Sequence, residues 1–120
     1  MMINIKQNMT AYCADLCSGR ADEEKIINMI ALFKAFHVLY VNVHSPEARL
    51  IQHVIDNLKS VYSVYRSRGE IVLMPYEVRE LNAAKQACLA KSGRRSAKIL
   101  HFLYNIYLEY YRIRLKRMSH

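Results

Sequence analysis

KILHFLYNIYLEYYRIRLKR, residues 98–117, reads as one long helix. Its polar residues Lys98, His101, Asn105, Glu109, Arg112 and Lys116 recur at spacings of three or four. At the helical repeat they fall on one stripe about 80° wide. Every residue between Ile99 and Tyr111 off that stripe is Ile, Leu, Phe or Tyr. A strand would alternate with period two, which this segment does not. The expected helix runs from about Arg94 to Arg117, roughly 35 Å at 1.5 Å per residue, and is largely buried. Leu103 and Ile106, on the face opposite the stripe, are expected deep in the core, and Asn105 on the surface.

Upstream, Ser92-Gly93 closes a fourth helix that starts near Pro75 and is rich in alanine, at 83, 84, 87 and 90. Between Gly69 and Pro75, Glu-Ile-Val-Leu-Met is the only strand-like piece, and a lone strand has nothing to pair with. It reads as an extended connector whose apolar residues tuck against the bundle. Ser45-Pro46-Glu47 combines an N-cap, proline at the first helical position and an acid in the first turn. The third helix that follows, to about Arg66, is amphipathic: Leu50, Ile51, Val54, Ile55, Leu58, Val61, Tyr62 and Tyr65 share one side. Asp22 caps a second helix reaching about Val43, whose apolar side chains point almost all round the axis, so burial on most sides is expected. His37 shares a face there with Ile26, Ile30 and Phe33 and reads as a hydrogen-bonded core histidine. A first helix covers about residues 5–17 and stops at Ser18-Gly19, where glycine accepts a left-handed conformation. The sum is an all-α protein: a single compact bundle of four to five helices over residues 1–120, with a long, largely buried C-terminal helix.

Composition agrees. In 120 residues there are three glycines and two prolines, and 52% of residues are apolar. So few turn residues mean few, long elements, and a chain this size buries enough surface to fold without disulfides or metal. The net charge of +8 is uneven. Residues 1–60 balance six Lys/Arg with six Asp/Glu, whereas residues 61–120 set twelve Lys/Arg against four Glu. That asymmetry suits a polyanion or an acidic protein partner, or simply solubility. Three cysteines with no leader-like apolar stretch ahead of them point to an intracellular, reducing compartment, cytoplasmic or, in a eukaryote, nuclear. Cys13 and Cys17 share a helical face, but no further ligands at a metal-binding spacing accompany them. The most apolar run, Ile26 to Val43, is interrupted by Asn28, Lys34, His37 and Asn42 and is too polar to span a membrane.

Two basic clusters are candidate contacts for an anion, a nucleic acid or an acidic partner. Lys91, Arg94, Arg95 and Lys98 surround a glycine turn leading into a helix N-terminus, whose free N–H groups attract phosphate. A solvated loop is the equal alternative. Arg112, Arg114, Lys116 and Arg117 close the last helix, where cations also complement the helix dipole. Tyr104, Tyr107 and Tyr111 are candidates for packing against a partner. A helix-turn-helix reading of the last two helices fails, because the second is too apolar to leave a side wet for a DNA groove. Neither a carboxylate dyad nor a phosphate-binding glycine loop nor a nucleophile elbow is visible. No catalytic residue, cofactor, metal or small-molecule substrate is therefore expected.

Tyr107-Leu108 followed by Arg112-Ile113-Arg114-Leu115-Lys116-Arg117-Met118 resembles a helix in the helical domain of subunits of the eukaryotic GINS replication complex, which carry a Tyr-Leu pair and an Arg-x-Arg-Leu-x-Lys-Ile run. The likeness covers about a fifth of the chain. Here two extra residues separate the pair from the run, and the small β domain of many members has no counterpart before His120. The resemblance implies a non-catalytic scaffold subunit of a replicative helicase assembly. The residues themselves suggest a helical scaffold or adaptor working through protein contacts or self-association. The alternatives are a small basic protein that binds nucleic acid directly, and an adaptor or inhibitor of one acidic protein.

Overall fold

Asp22 and Ser45 start two helices by the same chemistry: each side-chain oxygen accepts a hydrogen bond from the backbone N–H three residues on. The distances are 2.9 Å for Lys25 to Asp22 and 3.1 Å for Ala48 to Ser45. The computed structural model describes residues 5–40, 45–91 and 97–118. Its helices are α1 (Ile5–Cys17), α2 (Glu23–Tyr40), α3 (Pro46–Arg68), α4 (Pro75–Lys91) and α5 (Ala97–Met118). α1 ends in a left-handed glycine, Gly19 at φ 74°, with Arg20 N–H bonding back to the Asp15 carbonyl at 2.8 Å. α3 runs two residues past Arg66 and ends the same way, on Gly69 at φ 73°, whose N–H donates to the Tyr65 carbonyl. At the start of α4 the Glu77 carboxylate reaches back to the Met74 N–H at 2.8 Å, half of a capping box. Residues 41–44 and 92–96 lie outside the described residues, and with them the expected end of α2 near Val43, the Ser92-Gly93 turn and the Arg94 start.

α2 is the axis of the bundle. α1, α3, α4 and α5 all pack against it, and its side chains from Ile26 to Phe36 are buried except Asn28 and Lys34. Paired charges from three helices gather at its first turn. Tyr62 and Arg66 of α3 hydrogen-bond Glu23, at 2.8 and 3.1 Å. Lys25 pairs with Asp15 of α1 at 2.7 Å, and Arg112 of α5 pairs with Glu24. Both cross-links from α3 and α5 join the end of one helix to the start of α2, so both helices run antiparallel to it. The connector alternates regularly: Ile71 and Leu73 pack against the core, while Val72 and Met74 face outward. The Cα radius of gyration is 13.5 Å, matching the roughly 13.6 Å of a globule of this length.

The all-α bundle is as read from the sequence; the burial of its last helix is not. α5 is 22 residues long, but among its described side chains only Leu100, Tyr104, Tyr111 and Leu115 are buried. Leu103 is half-buried and Ile106 is 47% exposed, against the expectation that both lie deep. The cause is position. α5 lies on the outside of the bundle with α2 as its main neighbour, and one neighbour covers one face.

Candidate functional site

α5 has three faces. The inner one carries Leu100, Tyr104, Tyr111 and Leu115, flanked by half-buried Leu103, Tyr107 and Leu108. The polar stripe lies as expected, with Lys98, Asn105, Glu109 and Lys116 exposed and His101 and Arg112 half-buried. Between them runs a second stripe, and it is apolar and open: Ile99 (53% exposed), Phe102 (63%), Ile106 (47%), Tyr110 (46%) and Ile113 (56%). Successive members are three, four, four and three residues apart, which holds them within about 80° on one side of the helix. End to end the stripe measures roughly 21 Å.

The tyrosines expected at a partner surface face the other way. Tyr104 and Tyr111 are each 4% exposed and belong to this chain's own core, and Tyr107 packs beside them. Burial, the largest influence, pushes both the Tyr104 and Tyr111 hydroxyls up to about 12. Lys59 of α3 sits 5.5 Å from the centre of the Tyr111 ring and closes that side. Tyr110, packed edge-on against Tyr111 at 5.0 Å, is the tyrosine that looks outward.

The basic candidates also separate. Arg94 and Arg95 lie outside the described residues, and so does the Lys91 side chain at the end of α4. Arg112 is committed within the fold. Its Nε donates to Glu24 Oε1 at 2.8 Å and its Nη1 to Glu109 Oε1 at 3.2 Å, and the Glu24 hydrogen bond is the main reason its pKa is raised. Lys98, Arg114, Lys116 and Arg117 are exposed. Lys98 stands at the start of α5, roughly 24–28 Å along the helix from the other three, so these cations form no single patch. Arg114 and Arg117 border the apolar stripe. The Arg114 guanidinium lies 5.8 Å from the Tyr110 ring centre, and the two arginines with Tyr110 and Ile113 line an open recess of about 420 Å³.

A second recess, of about 460 Å³, is lined by His37, Ala48, Arg49, Gln52, His53 and Asp56. Two of its polar side chains, Gln52 and Asp56, are paired with each other. Gln52 donates to Asp56 at 3.1 Å, and His53 lies 2.7 Å from a Glu80 oxygen, near enough for a charge pair but without a directed hydrogen bond. His37 is half-buried, not fully in the core; burial lowers its pKa, Lys34 adds to this, and a hydrogen bond to the Ala48 backbone opposes it. Among the described residues no three His, Cys, Asp or Glu side chains cluster as a metal site requires. All three cysteines are free; Cys13 and Cys88 are buried, which pushes their thiols up to about 12. No described helix is long and apolar enough to cross a membrane.

The sequence signal for the outward stripe is the spacing of Ile99, Ile106 and Ile113, seven residues apart in turn. A heptad of β-branched residues is the mark of a helix that meets another helix. Comparison with protein families, curated proteins and solved structures finds no match to this chain.

Proposed function

We propose that this protein is a non-catalytic helical adaptor or scaffold subunit that docks another protein along the outward face of α5. One observation carries the reading: five large apolar side chains, each about half exposed, on a single helical face. Isolated exposed apolar residues are ordinary, but a row of large ones along a single helical face is the kind of contiguous patch that supports an interaction surface. The rest of the molecule supplies a rigid base for it. The inner face of α5 is seated on α2, and Arg112 ties the two helices through Glu24.

Within the same proposal, the likeness of residues 107–118 to the helical domain of GINS subunits supports a partner in a DNA-replication or other nucleic-acid-processing assembly. Direct nucleic-acid binding, through Lys98, Arg114, Lys116 and Arg117, is the second reading. It leaves Ile99, Phe102 and Ile106 without a role, since phosphate contacts need charge and hydrogen-bond donors. The test is co-purification of the tagged full chain against its Phe102→Asp/Ile106→Asp variant. A protein retained through gel filtration by the first and lost by the second, with helicity and melting temperature unchanged, supports the docking face. Identical recovery by both chains excludes it.

A further inference from the structure

We propose that the partner segment is an acidic amphipathic helix, lying along α5 with its apolar seam on Ile99, Phe102, Ile106 and Ile113 and a carboxylate in the recess of Tyr110, Arg114 and Arg117. This rests on the docking reading above and adds the partner's shape and charge.

The shape follows from the stripe. Its spacings of three, four, four and three average 3.5 residues, so the stripe stays straight along two heptads only against a helix crossing at a shallow angle, near +20°. An 80° seam is also narrow. A helix that lies in a lipid surface needs a broad apolar face with cations on both edges, whereas the middle of one edge here carries Asn105 and Glu109, with Lys98 and Lys116 only at its two ends. A helix of about four turns matches the roughly 21 Å length.

The charge follows from the borders. Glu109 is the only carboxylate on α5, and Arg112 engages it at 3.2 Å. The next stripe position after Ile113 is Arg117, and Arg114 stands over Tyr110. A second copy of the chain fits poorly. Antiparallel pairing sets Lys98 opposite the partner copy's Arg114 and Arg117, and parallel pairing sets each cation against itself; like charges in register oppose association. Carboxylates complement this border, and beside the Tyr110 ring an arginine fork offers them bidentate hydrogen bonds. The Tyr110–Ile113 side of the recess takes the aliphatic stem.

The test uses the full chain and two synthetic helical peptides of about 21 residues with the same Leu/Ile seam, one flanked by Glu and one by Lys, fluorescently labelled and read by anisotropy. The Glu peptide is expected to bind at least roughly tenfold more tightly than the Lys peptide, with the difference shrinking as salt rises. Arg114→Glu/Arg117→Glu is expected to invert the preference, and Ile106→Asp to abolish binding of both, with circular dichroism unchanged in each variant. Equal binding of the two peptides leaves the docking face standing and overturns the acidic partner. Failure of both to bind overturns the helical partner, while the co-purification experiment still judges the docking reading by itself. Two further arms overturn both statements: binding to phosphatidylcholine vesicles with about one-third phosphatidylserine, or to a DNA duplex, that Ile106→Asp removes. A concentration-dependent dimer in sedimentation that Ile106→Asp dissolves assigns the face to a second copy and overturns the acidic helix.

Discussion

Along α2, nine side chains between Ile26 and Phe36 are at most 1% exposed; along α5, five large apolar side chains keep about half their surface in the open. Both stretches are mostly apolar, nine of eleven residues from Ile26 to Phe36 and eleven of fifteen from Ile99 to Ile113, although α5 also carries a polar stripe. What separates them is the number of neighbours. α2 is enclosed by four helices and α5 leans chiefly on one. A mostly apolar helix is therefore core in one place and partly surface in the other, and surface of this kind is either covered by something or carried at a cost in solubility.

The comparison predicts unequal responses to truncation. Phe33→Ala, at a fully buried site on α2, is expected to cost about 3–5 kcal/mol through lost transfer energy and a residual cavity. Denaturant unfolding measures it, and a loss under about 1 kcal/mol would mean that α2 is not the axis. Leu115→Ala tests the inner face of α5 at 4% exposure. Because the site lies near the end of the last helix, where the surroundings relax easily, the expected loss sits toward the lower end of about 2–5 kcal/mol.

How much of this was legible depends on whether the signal is local. The caps are local, and Asp22, Ser45-Pro46 and Gly19 act in the structure as the sequence suggests. The enclosure of α2 was legible too, because an all-round apolar pattern interrupted only by Asn28, Lys34 and His37 admits few other placements. The division of α5 was not. Its polar stripe shows where water must be, but the remaining arc of Ile, Leu, Phe and Tyr is uniform, and only the position of α2 divides it into Tyr104 and Tyr111 inside and Phe102 and Ile106 outside. The heptad of Ile99, Ile106 and Ile113 was the available clue.

Two smaller effects sharpen the comparison at the joints around α2. Arg112→Gln removes the link from α5 to Glu24, together with the Glu109 contact. Both pairs are over a third exposed on the arginine side, so a loss of roughly 0.2–1 kcal/mol is expected, smaller in high salt. At the other end of α2, burial depresses the His37 pKa below its ordinary 6.5. The unfolded chain then binds a proton that the folded chain releases, so stability is full above that ordinary value and declines as pH falls through the window beneath it. Melting temperatures between about pH 8 and 5 are expected to fall less steeply for His37→Gln than for the unmodified chain. Parallel curves would show that His37 does not contribute.

Ile106→Ala is expected to do least, and it decides most. Ile106 is 47% exposed and lies on the outward stripe, so its truncation leaves no cavity inside the bundle. The change belongs with surface substitutions, within about 0.5 kcal/mol of zero. Phe102→Ala, at 63% exposure, belongs beside it. Their insensitivity set against Leu115→Ala splits one helix into a face that holds the fold and a face that does not. In the presence of a bound partner the ranking is expected to reverse. There Phe102 and Ile106 become central contacts, and truncation of each is expected to weaken the complex by about 1 kcal/mol or more, as buried interface anchors do. Unfolding of the isolated chain and dissociation of the complex, measured on the same four proteins, separate the two roles. If Ile106→Ala destabilises the isolated chain as much as Leu115→Ala does, α5 is enclosed on both sides and its outer face belongs to the chain's own core. If neither measurement responds, the stripe is surface without an occupant, and a partner must dock elsewhere.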